Sequence, residues 1–159
     1  MKKIPMQLIT SLFCVAGAVF SSQLWANQVG SLGTLLGPGA TDVYQVTCFT
    51  SATAPSQKPT HQLSFSIRSD TVNGAVMSVQ ALKYTSAGYA YSTNTSDPIS
   101  GDGIFSPAAL LTNGPDGDQV YNVTINHTAK FSAAYSLSYQ CQDASGVQTG
   151  AKIQIMQNQ

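Results

Sequence analysis

The feature that most constrains this chain is a strict period of two near its end. Phe131, Ala133, Tyr135, Leu137, Tyr139 and Cys141 alternate with Ser132, Ala134, Ser136, Ser138 and Gln140. Successive side chains of a strand point to opposite faces, so the first set forms an apolar face and the second a small polar one. A helix would scatter both sets around its circumference. Three other segments read the same way. Tyr44, Val46 and Cys48 oppose Val43, Gln45, Thr47 and Phe49; Leu63, Phe65 and Ile67 oppose Gln62, Ser64, Ser66 and Arg68; Tyr121, Val123, Ile125 and His127 oppose Asn122, Thr124 and Asn126. All seven acids are Asp (42, 70, 97, 102, 116, 118 and 143) and Glu is absent. Asp prefers caps and turns to helix interiors, so long surface helices are not expected.

Weaker strand signals fall at residues 75–84, at 89–91 around Ala90, and at 151–156, while 104–112 reads as an irregular strand or one helical turn. Residues 51–60, 92–103 and 113–118 carry the Gly, Pro, Asn and Asp clusters of loops. Asn73-Gly74 between two apolar runs predicts a β-hairpin joining 61–69 to 75–84. Segments 119–127 and 131–141 are expected to form an antiparallel pair. About seven or eight short strands separated by turns predict an all-β fold, an antiparallel β-sandwich or jelly roll, as a single domain over 42–159. Residues 27–41 read as a linker, an edge segment or a short first strand.

Residues 1–26 read as a secretory signal peptide: Lys2 and Lys3 precede a mostly apolar stretch, and the segment ends on Ala26. The apolar run 8–20 is shorter than the roughly 20 residues that span a bilayer, so cleavage is expected rather than a retained transmembrane segment. Removal of Cys14 with the leader leaves Cys48 and Cys141, which in an oxidising compartment permit one pairing, a structural disulfide. No C-x-x-C accompanies them, which argues against redox activity. The five remaining Lys and Arg face seven Asp, a net charge of −2. That leaves no basic patch for nucleic acid.

Asp42-Val43-Tyr44-Gln45-Val46, Tyr121-Asn122-Val123-Thr124-Ile125 and Tyr135-Ser136-Leu137-Ser138-Tyr139 together resemble the bacterial pre-peptidase C-terminal domain over residues 40–142. The resemblance implies a compact β-sandwich on secreted bacterial proteins, an accessory module for secretion, targeting or binding rather than a catalyst. The family's acidic, apolar middle strand is replaced here by 76–84, and the disulfide is not part of its pattern. No ligand residues are therefore carried over.

Catalytic chemistry finds little support in the residues themselves. His61 and His127 each end an alternating strand, and no G-x-S-x-G elbow is present. A zinc site built on these two histidines lacks a third ligand. Calcium is the better metal candidate, because Asp97 and Asp102 lie in one Gly-rich loop and Asn113, Asp116 and Asp118 in another, all oxygen donors. Beside Gly and Pro the same residues are ordinary turn formers, the reading the sequence favours. Tyr89 and Tyr91 share one strand parity and form a candidate aromatic strip for a glycan or protein, although inward aromatics commonly fill a small sheet's core.

The expectation is a secreted or periplasmic, non-catalytic binding or accessory module at the bacterial cell surface, with a protein or glycan partner. Two alternatives stand beside it. One is a structural subunit of a surface fibre or coat in which edge strands pair between copies; the other is a calcium-stabilised adhesion module, which requires the two Asp loops to meet in space.

Overall fold

The computed structural model describes residues 27–37, 39–72, 75–85, 88, 90–112 and 117–159; for 27–34 the description is of the backbone. Nine strands occur among these residues: β1 (Asn27–Leu35), β2 (Thr41–Phe49), β3 (Gln62–Ser69), β4 (Met77–Tyr84), β5 (Ala90–Asp97), β6 (Ala109–Thr112), β7 (Gln119–His127), β8 (Ala133–Gln142) and β9 (Gly150–Gln157). They form two antiparallel sheets, one in the order β1-β8-β3-β6 and the other β5-β4-β7-β2-β9. The fold is the β-sandwich expected from the alternation.

The inward faces are the apolar ones read from the sequence. Tyr44, Val46 and Cys48 of β2, Leu63, Phe65 and Ile67 of β3, Tyr121, Val123 and Ile125 of β7, and Tyr135, Leu137, Tyr139 and Cys141 of β8 form one buried cluster with Met77, Val79 and Ala81 of β4. Register places these groups in rows, Ile155↔Tyr44↔Val123 and Ile153↔Val46↔Tyr121 in the larger sheet, Leu63↔Cys141 and Ile67↔Leu137 in the smaller. The outward-facing described strand residues carry only two charges, Arg68 and Lys152.

Cys48 and Cys141 are bonded, both fully buried, with Cα atoms 5.6 Å apart. The bridge joins β2 in one sheet to β8 in the other. A loop of 93 positions closed in this way contributes about 4 to 5 kcal/mol by limiting the unfolded chain.

Two pairings differ from the sequence expectation. Strands β3 and β4 do not form a hairpin: β3 pairs with β6 and β8, and β4 with β5 and β7. Seven residues separate Ser69 from Met77, enough to cross the sandwich, so two fully apolar faces oppose each other instead of lying side by side. Asn73 and Gly74 themselves lie outside the described residues. Likewise β7 and β8 are not partners but belong to opposite sheets, because each already finds two apolar neighbours, β2 and β4 for one, β1 and β3 for the other. Phe131, expected to begin β8, precedes it and is 74% exposed.

Three boundaries also shift. β5 continues to Asp97 through residues expected to be loop, since its hydroxyl and amide side chains suit an edge strand open to water. β6 is a four-residue strand against β3, and β1 completes the smaller sheet along β8 with a register shift between Val29 and Gly33. Among the described residues the only sequence neighbours that pair are β4 and β5.

Candidate functional site

The strand directions give the sandwich two ends. One carries the disulfide, the loop 50–61, the turn 143–149 and the start of β7; the other carries 36–40, the segment after Asp97, and 128–132.

This division separates Asp118 from Asp97 and Asp102. Gly117 N–H donates to Thr60 O and Thr50 N–H to Asp118 Oδ1, so Gly117 and Asp118 are fastened near the start of β3. Asp97 and Asp102 lie at the finish of β3: Ser69 N–H donates to Asp97 Oδ2 at 2.7 Å, and Gly101 N–H to Ser69 O. The length of β3 puts the anchors about 23 Å apart at ~3.3 Å per residue. A single ion therefore cannot bridge Asp118 to Asp97 and Asp102. Asn113 and Asp116 lie outside the described residues, among which no group of three His, Cys, Asp or Glu side chains is placed to hold a metal ion.

The described aspartates are engaged in holding the chain. Asp97, 3% exposed, accepts from Ser69 N–H and, through Oδ1, from Ile99 N–H; Asp102 accepts from Ile104 N–H. Asp70 pairs with Arg68 at 2.7 Å and accepts from Ser136 Oγ. Asp143 accepts from Ser56 Oγ, Ser145 N–H and Val147 N–H, and the Ser56 hydrogen bond leads the causes that hold its carboxyl below the usual range. Asp42, fully buried, accepts Tyr135 Oη–H at 2.5 Å and Gln159 N–H at 2.7 Å, while Tyr135 Oη lies 2.6 Å from Tyr44 Oη.

His61 and His127 stand at opposite ends of the sandwich, so no site can use both. His127 Nε2 is 3.0 Å from Gly37 O; a carbonyl only accepts, so this nitrogen carries the proton, and Nδ1 is buried without a partner. Tyr91 is 43% exposed on the edge strand β5, opposite Lys83; Tyr89 lies outside the described residues. Lys83 faces inward, its Nζ 5.8 Å from the centroid of the Tyr121 ring, and burial pushes its pKa down.

Sequence reading did not single out the cleft at the disulfide end. It encloses about 520 Å³ and is lined by Phe49, Ser51, Thr53, Ala54, Pro55 and the run 148–151, a volume within the range of small-ligand sites. Its floor is the Phe49↔Gly150 pair, where β2 ends and β9 begins. A Cβ at position 150 would come within 2.5 Å of Phe49 Cε2, so only glycine lets the ring lie against this backbone. One wall is the turn in which Thr53 N–H donates to Ser51 Oγ. The other is fastened by Ser56 N–H to Gln148 O and by the 2.7 Å contact of the Thr60 and Thr149 hydroxyls. Gln148 Oε1 is buried without a partner. No lining side chain is charged. The signal available in the sequence was Gly150 opposite an aromatic, which becomes visible only once β2 and β9 are known to pair.

Compared with family models, with curated proteins and with solved structures, the chain gives no match.

Proposed function

We propose that this chain is a non-catalytic binding or accessory module that works outside the cytoplasm at the bacterial cell surface, with the cleft at the disulfide end as its binding place. The observation that carries the reading is a division of labour. The described carboxylates accept hydrogen bonds from the fold and the histidines are far apart, while the cleft is concave, uncharged and mixed in polarity. Catalysis by side chains needs acids, bases or nucleophiles converging on one point. Recognition needs a shaped surface with a few polar groups.

The extracytoplasmic setting is supported by the disulfide, since such bonds persist in oxidising compartments. Among the described residues no helix is long and apolar enough to cross a membrane. The leader read at 1–26 and the resemblance to the pre-peptidase C-terminal domain favour the bacterial surface.

Chemical-shift mapping of the folded protein with dilute dioxane, acetone and isopropanol tests the binding place. The expected result is a set of shifted amides clustered at Phe49, Ser51, Thr53, Gly150 and Ala151 and abolished by Phe49→Ala. Shifts spread evenly over the sandwich, or centred elsewhere, would remove the cleft from the proposal.

A further inference from the structure

The cleft at the disulfide end presents two kinds of surface side by side. Its apolar part is Phe49, half-buried with its ring resting on the Gly150 backbone, together with Ala54, Pro55 and Ala151. Its polar part consists of groups that both donate and accept, the Ser51 and Thr53 hydroxyls and the Gln148 amide. Ser51 Oγ and Thr53 Oγ1 lie 3.1 Å apart and share one hydrogen bond, which leaves one hydroxyl proton for a ligand. Gln148 is 8% exposed and its Oε1 is buried without a partner. A buried acceptor left in this state costs free energy that a donor restores, and the broad last torsion of a glutamine lets the amide turn toward one. Lys152, two residues after Gly150, and Asp118, which accepts from Thr50 N–H, lie outside the lining and carry opposite signs.

We infer that the cleft takes an uncharged saccharide, one sugar ring lying with its C–H face on Phe49 and its hydroxyls on Ser51, Thr53 and Gln148. This rests on the cleft being the binding place and adds the class of ligand. A pyranose carries both surfaces in one rigid ring. Its C–H groups bear a partial positive charge that meets the negative face of an aromatic ring, and its rim of hydroxyls donates and accepts as the lining does. Other classes leave part of the cleft unmatched. A phosphate or carboxylate is recognised by Arg or Lys, and neither lines the cleft. A hydrocarbon would cover Phe49 while stripping water from Ser51 and Thr53 with no hydrogen bond in return. An extended peptide takes its affinity from a run of main-chain hydrogen bonds, whereas the wall here is a turn bonded to itself, Thr53 N–H to Ser51 Oγ and Ala54 N–H to Ser51 O.

Titration of the folded, oxidised protein with cellobiose, lactose, maltose and N,N′-diacetylchitobiose, read by amide chemical shifts up to about 50 mM, tests the class of ligand. Digalacturonate and cyclohexanol serve as the charged and the hydroxyl-poor comparison. At least one neutral disaccharide is expected to shift the amides of Phe49, Ser51, Thr53, Gly150 and Ala151 along a saturable curve, at least about tenfold more tightly than either comparison. Phe49→Leu should weaken that disaccharide at least about tenfold, and Thr53→Val, at an exposed position that the fold does not depend on, about three- to tenfold. Cyclohexanol moving these amides while all four disaccharides leave them still would overturn the saccharide and leave the cleft standing as the binding place. Equal affinity for digalacturonate, or saccharide shifts centred elsewhere, would overturn it too. Silence from every probe would remove the cleft itself.

Discussion

Asp42 is a carboxyl group built into the apolar core. Burial of a polar group is costly unless it is hydrogen-bonded, and here Tyr135 Oη–H and the Gln159 N–H supply the bonds, with Tyr44 extending the chain of hydroxyls. The same burial acts on the tyrosines. Desolvation raises the pKa of Tyr44, Tyr121, Tyr135 and Tyr139, and at Tyr135 the bonds to Asp42 and Tyr44 add to it. A folded pKa above the unfolded one means stability that is complete below about pH 10 and lost as pH rises through the folded value, because the unfolded chain releases protons that the native chain keeps. Lys83 works in the opposite direction, since its lowered pKa makes the fold more stable as pH approaches 10.5, but it is one group against four. We therefore expect alkaline unfolding to be cooperative, with tyrosinate absorbance from the four buried rings rising together with loss of the β-sheet circular dichroism signal. Absorbance that rose fully while the sheet signal stayed intact would show the rings to be open to solvent.

At the scale of elements, Gly150 links the fold to the cleft. A methyl group there would meet the Phe49 ring at 2.5 Å and the Phe49 carbonyl oxygen at 2.9 Å. Gly150→Ala is expected to cost about 1 to 3 kcal/mol, the usual range for overpacking, and to displace the ring from the cleft floor; a melting temperature equal to that of the parent chain would contradict this packing. Inward and outward faces of β2, β3, β7 and β8 were legible in the sequence because a half-buried strand must alternate and a single residue's slip would expose the whole apolar set. Partners were not legible. The alternation of 119–127 and of 131–141 is satisfied equally by neighbours in one sheet or by opposition across the core, and only tertiary packing decides between them. β5 was missed beyond Tyr91 because an edge strand open to water on both faces carries no apolar period. The Asp loops were legible as turns: Asp97 and Asp102 accept from backbone N–H groups two residues on, the side-chain turn that Asp favours. The placement of Asp118 at one end and of Asp97 and Asp102 at the other depended on strand directions that no local signal encodes.

The whole molecule is a set of long-range closures. Among the described residues, seven of the eight strand-to-strand steps pass from one sheet to the other, and only β4 to β5 stays within a sheet. Such a topology delays the return on chain ordering until distant segments meet, and domains dominated by non-local pairing fold in milliseconds to seconds. The disulfide between β2 and β8 offsets part of that entropy by joining the sheets directly. The result is a frame whose described carboxylates and paired tyrosines are spent on the frame itself, leaving an uncharged cleft at one end. The central claim is that this frame binds and does not turn substrate over. The direct measurement is the rate at which the purified, oxidised protein hydrolyses p-nitrophenyl esters, p-nitrophenyl glycosides and a casein-derived peptide. The account predicts rates equal to buffer for all three. Turnover that disappears on His61→Ala or His127→Ala, with the melting temperature unchanged, would contradict it.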